Sequence, residues 1–159
     1  MLPLRRIVVH HPDADLRNRL MGDLRNDFGP SVPLLPAASH AEALMLARTA
    51  APEVIILPLH EPGSTAIEIL AQLRAEFPTQ VWAVVVLLPD ERPESLRQGL
   101  EAMRAGALDY AVGNPPAAAA LSRAVRHAAL RARTGRNRRL SAVPVAPRPP
   151  RPRTEAGSR

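Results

Sequence analysis

The chain has 159 residues, 46% of them apolar, which suits one ordinary globular core and not two. It has no cysteine, which excludes disulfides, thiolate metal sites and thiol chemistry, and its apolar runs fall far short of a membrane span. Charge is lopsided: residues 1–114 hold 10 Arg against 14 Asp and Glu, a balance of −4, whereas residues 115–159 hold 11 Arg against one Glu, a balance of +10.

The opening MLPLRRIVV lacks the long apolar stretch and small-residue cleavage pattern of a secretory signal, so a cytoplasmic protein is expected. RIVVH (6–10) is a short β-branched run that predicts a strand. Pro12 can open a helix, and Asp13 and Asp15 favour its start by opposing the dipole. Leu16, Leu20, Leu24 and Phe28 then recur every four residues, until Gly29-Pro30 stops the helix. SVPLLPAA (31–38) reads as a strand that its prolines confine to a sheet edge. Ser39 caps a second helix to about Thr49, with Leu44 and Met45 expected inward.

EVIIL (53–57) carries a continuous apolar run, Val54 to Leu57, which implies burial on both faces, as in a parallel sheet. Pro58 ends it, and Pro62-Gly63 signals a turn. A third helix carries Ile67, Leu70, Leu73 and Phe77. VWAVVVLL (81–88) is a second continuous strand. The next helix is amphipathic, with Leu96, Leu100 and Met103 expected inward and Gly106 ending it. LDYAV (108–112) predicts the last strand, after which Asn114 caps a helix beginning at Pro115-Pro116 and carrying Leu121, Val125 and Ala128.

Strands alternating with helices predict a doubly wound α/β domain: a five-stranded parallel sheet with helices on both faces, in the flavodoxin-like order 2-1-3-4-5. The domain is placed at residues 1–134. Residues 135–159, dense in Arg and Pro without an apolar period, read as a disordered tail. Functional groups are expected at the carboxyl ends of the strands.

Three landmarks at these places, IVVHHPDADLR, PEVIILPLHEPG and AGALDY, resemble the receiver domain of two-component response regulators over residues 5 to about 133. The family places an acidic pair after the first strand, an aspartate in the third-strand motif, a Thr or Ser ending the fourth strand and a lysine after AGAxxY. The resemblance implies a phosphoryl group transferred to the aspartate with Mg²⁺ held by the acidic pair. In this chain the acidic pair's positions hold His10 and His11, the phosphoacceptor's holds Pro58, and the Thr/Ser position falls at Leu87. The lysine position falls at Gly113 or Asn114. Tyr110 matches the aromatic residue that moves on activation. With nucleophile, metal pair, hydroxyl and lysine all replaced, the expectation is a non-enzymatic pseudo-receiver without a cofactor. It would work by binding other signalling proteins.

Several other readings stay open. His10, His11 and His60, with Glu61 and Asp90 nearby, either converge on Zn²⁺ or fill the vacated acidic pocket by hydrogen bonding. Successive strand residues point to opposite faces, which argues against His10 and His11 ligating together. The face of the last helix bearing Leu121 and Val125, with Tyr110 nearby, either forms a homodimer or interaction surface or covers the sheet. The Arg-rich tail is either a tether or a nucleic-acid contact, and it has no aromatic residue to stack on bases.

Overall fold

The computed structural model describes residues 3–141. The first elements in chain order are β1 (Ile7–His10), α1 (Ala14–Phe28), β2 (Leu34–Ala37), α2 (His40–Ala50) and β3 (Val54–Pro58). A short hairpin follows, β4 (His60–Glu61) and β5 (Ser64–Thr65), then α3 (Ala66–Glu76) and β6 (Ala83–Leu88). The remainder is α4 (Pro93–Arg104), β7 (Asp109–Val112) and α5 (Ala118–Ser141).

The main sheet has five strands in the order β2-β1-β3-β6-β7, all parallel. Counted without the hairpin, this is the expected 2-1-3-4-5. The two continuous apolar runs are the neighbours β3 and β6, fully buried and paired from Val54↔Ala83 to Pro58↔Leu87. The proline-bearing β2 lies at an edge, where a missing N–H costs no ladder bond. One core packs between the sheet and α1 and α5, and includes Ile7, Val9, Ile56, Val85, Leu121 and Val125. The other lies under α2, α3 and α4 and includes Val8, Ile55, Leu57, Leu70, Val84 and Leu88.

Caps follow from the side chains. Asp13 precedes α1 and accepts from the N–H groups of Asp15 (2.9 Å) and Leu16 (3.2 Å), so the helix opens after Asp13 and not at Pro12. Ser39 caps α2 by accepting from Glu42 N–H at 3.0 Å. Pro62-Gly63 forms the expected turn, with Gly63 at φ 81, between two short strands that periodicity did not predict.

Three expectations are corrected. Met45 is 50% exposed, because α2 turns Ala43, Leu44 and Ala47 to the sheet. In α4 the inward face is Ser95, Gly99 and Ala102, while Leu100 is 56% exposed and Leu96 is also exposed. The physical reason is a close approach: a Cβ on Gly99 would stand 2.8 Å from a Leu88 methyl, so small residues face the sheet and the leucines flank it. The last helix starts at Ala118, after a Gly113–Pro116 bridge, rather than at Pro115.

The same helix continues past Thr134 to Ser141. Arg133 Nε donates to buried Glu53 at 2.6 Å, and Glu53 also accepts from Arg5 N–H at 2.9 Å, which clamps α5 to the amino end of the sheet. Arginine is also a good helix former, so the helix outlasts the apolar pattern. Residues 142–159, most of the expected tail, lie outside the described residues. No helix among the described residues is long and apolar enough to cross a membrane.

Candidate functional site

β1 ends at the carboxyl edge of the sheet, and strand alternation divides its two histidines. Val9 enters the α1/α5 core and Val8 the α2/α3/α4 core. His10 therefore follows Val8, and His11 follows Val9 to the opposite side. The edge carries two separate environments.

On the His11 side lies a cavity of about 240 Å³. His11, Pro58, Leu87, Gly113 and Asn114 all line it, so five of the six expected positions converge there. Pro58 and Leu87 are register partners on β3 and β6. Leu59 N–H donates to Leu87 C=O at 2.9 Å, so alternation turns residue 58's amide toward β1. Pairing with β1 has already ended at Val9↔Ile56, which is why a proline is tolerated at the end of a central strand.

Gly113 has φ 129, and a Cβ there would come within 2.8 Å of Pro115 O and Pro116 Cα. No ordinary side chain fits at Gly113. Asn114 is the residue that presents one to the cavity, beside His11. Burial pushes His11 below its ordinary value of 6.5, with His10 adding to the effect and Asp13 and Asn114 opposing it. His11 Nδ1 accepts from Asp13 N–H at 3.0 Å, which marks it as a lone-pair nitrogen.

On the other side His10 meets His40 and Glu61. His10 is fully buried; one ring nitrogen, Nδ1, lies 2.9 Å from Ala37 C=O and the other, Nε2, 2.8 Å from Glu61 Oε2. His40, the first residue of α2, is buried beside it with ring centroids 5.0 Å apart. Its Nε2 donates to Pro58 C=O at 3.1 Å, and its Nδ1 lies 2.9 Å from Ser64 Oγ. Glu61 Oε1 accepts from His40 N–H at 2.8 Å. Burial pushes His40 below 6.5, against the raising influence of its bond to Pro58 and of Glu61.

The expected trio of His10, His11 and His60 is not brought together. His11 faces the cavity, and His60 is exposed, with Nε2 at 2.8 Å from Gln98 Oε1 on α4. Asp90 is engaged instead by Ser95 Oγ–H at 2.7 Å. Glu61 does lie beside His10. His40 was missed, although a histidine beside a helix-capping Ser39 is a signal, because a cation is disfavoured at a helix N-terminus.

Leu121 and Val125 are fully buried against the sheet, so the helix face they share covers the core and offers no surface. Tyr110, in contrast, is 38% exposed on edge strand β7, with Leu96 and Leu100 of α4 also exposed.

No family model and no curated protein matches the chain. Solved structures do. A response regulator receiver domain from Clostridium thermocellum is 24% identical with a TM-score of 0.69, covering 82% of this chain and 98% of its own. A putative response regulator from Chloroflexus aurantiacus is 21% identical with a TM-score of 0.68, over 81% of this chain and 99% of its own.

The chain has the receiver fold.

NtrX from Brucella abortus, solved with ADP, is 19% identical with a TM-score of 0.72; the match covers 91% of this chain but 30% of NtrX. At these identities the likeness concerns the receiver fold alone. Within that fold Pro58, Leu87, His11 and Asn114 occupy one cavity, at the strand ends where the sequence resemblance places the phosphorylation chemistry.

Proposed function

We propose that this chain is a phosphorylation-independent pseudo-receiver, a protein-interaction module in bacterial two-component-type signalling. One observation carries the reading: Pro58 ends β3 in register with Leu87, in a cavity whose lining includes Leu16, Leu20 and Leu59 and no carboxylate among the described residues. A phosphoryl acceptor needs a nucleophilic oxygen, and Mg²⁺ needs oxygen ligands to neutralise the transferred charge. Proline, leucine and histidine side chains supply neither.

What remains is a surface. Tyr110 on β7 and Leu96 and Leu100 on α4 are exposed large apolar side chains, suited to apolar contact with a signalling partner. The test of the chemistry is direct. Incubation with acetyl phosphate and Mg²⁺ leaves the intact mass unchanged; the added mass of a phosphoryl group on any carboxylate refutes the reading.

A further inference from the structure

We propose that His10, His40 and Glu61 form a transition-metal site, with Zn²⁺ the ion that its chemistry fits. The three come from separate elements: the end of β1, the first residue of α2 and strand β4 of the hairpin. One ligand-capable atom from each lies within 4.8 Å of the other two. His10 Nε2 stands 2.8 Å from Glu61 Oε2, and His40 Nδ1 stands 3.5 Å from Glu61 Oε1. Ligands about 2.0–2.1 Å from a tetrahedral Zn²⁺ lie about 3.3 Å apart, so modest side-chain shifts from these contacts, one to each Glu61 oxygen, bring the three ligand atoms around one ion.

The surroundings of the imidazoles are those of ligands. A backbone carbonyl only accepts, so His10 Nδ1, at Ala37 C=O, and His40 Nε2, at Pro58 C=O, each carry the hydrogen. That fixes both tautomers and directs His10 Nε2 and His40 Nδ1 inward, toward Glu61. Metal-binding histidines are oriented by this kind of bond from the other ring nitrogen. Two imidazoles and one carboxylate suit Zn²⁺ and its neighbours, whereas Mg²⁺ prefers an all-oxygen shell. Ser64 Oγ, 2.9 Å from His40 Nδ1, or a water completes four-coordination.

The ion takes the place of the contacts its ligand atoms now make, His10 Nε2 with Glu61 Oε2 at 2.8 Å and His40 Nδ1 with the Ser64 hydroxyl at 2.9 Å. The bound ion would fasten the hairpin after β3 to the start of α2. The site is separate from the cavity and does not rest on the signalling role proposed above.

Titration calorimetry of the full chain with Zn²⁺ is expected to show one ion per chain. Mg²⁺ should give no heat. Co²⁺ should give tetrahedral visible bands, and X-ray absorption on the Zn²⁺ form two imidazoles with light-atom ligands. Glu61→Gln and His40→Gln should each weaken binding about 100-fold, whereas His11→Ala and His60→Ala leave it unchanged. Glu61 is the least buried of the three, so its variant stays decisive if His40→Gln does not fold. Absence of Zn²⁺ heat, loss of binding in His11→Ala or His60→Ala but not in Glu61→Gln, or fewer than two imidazoles overturns the proposal.

Discussion

His10 and His11 are neighbours in sequence and end the same strand, yet they belong to different chemistries. His11 borders a largely apolar cavity between β3, β6 and the loop after β7, and its contacts are sparse and partly exposed. His10 is sealed into a knot in which both ring nitrogens, both Glu61 oxygens and the His40 ring are partnered. One side of the sheet edge is lined mostly by apolar groups, while the other gathers polar groups into a low-dielectric setting. Two such environments can stand only one residue apart because strand alternation isolates them.

The contrast makes its strongest demand on His10. His10→Leu leaves the Glu61 carboxylate and the Ala37 carbonyl without their partner, and should cost about 3 kcal/mol in urea denaturation at neutral pH. His11→Leu, beside an open apolar cavity, should change stability by about 0.5 kcal/mol or less. Equal losses for the two would break the distinction. Next comes Pro58→Asp, which sets a carboxylate against Leu87 and Leu59 and should cost about 2 kcal/mol. The same variant should still take up no phosphoryl group from acetyl phosphate with Mg²⁺, because His11 and Asn114 remain in place.

Gly99→Ala probes how closely α4 seats on β6. The added methyl meets the fully buried Leu88 side chain at 2.8 Å, so the cost should be about 1.5 kcal/mol by the same denaturation assay. The smallest effect is on pH. His11 and His40 are both held below their ordinary value of 6.5, so between the folded value and 6.5 the unfolded chain binds more protons. With metal removed by a chelator, stability should be level above about pH 7.5 and fall as pH drops through 6.5. His11→Gln and His40→Gln should each remove part of that slope. A stability that rises on acidification would reverse the assignment for both.

Much of the fold was legible in the sequence, for identifiable reasons. Val54–Leu57 and Val84–Leu88 are apolar without alternation, which only a two-sided burial explains, and Pro33 and Pro36, before and within β2, named its edge. Pro58, Leu87 and His11 could be placed together because strand ends in a doubly wound sheet converge. The knot was less legible. His40 is 30 positions beyond His10, and its part depends on how α2 starts over the sheet, which spacing does not encode. In α4 the leucines dominated the hydrophobic pattern, but Gly99 decided which face could approach Leu88. The end of α5 was misjudged because Arg133 and Glu53, 80 positions apart, hold it by charge where apolar periodicity has already ceased.

The reach of α5 has one more effect. Its first residue, Ala118, follows soon after Pro116 at the cavity, and Arg133 lies 15 residues on, about 22 Å along the axis. That is more than two Debye lengths at physiological salt, about 8 Å each. The arginines of the helix's last turns are thus electrically remote from the carboxyl edge of the sheet. A cation approaching Glu61 meets the local carboxylate and not the charge at the far end of α5. Arg133, bonded to Glu53, stands at one pole of the sheet, and the buried rings of His10 and His40 stand at the other.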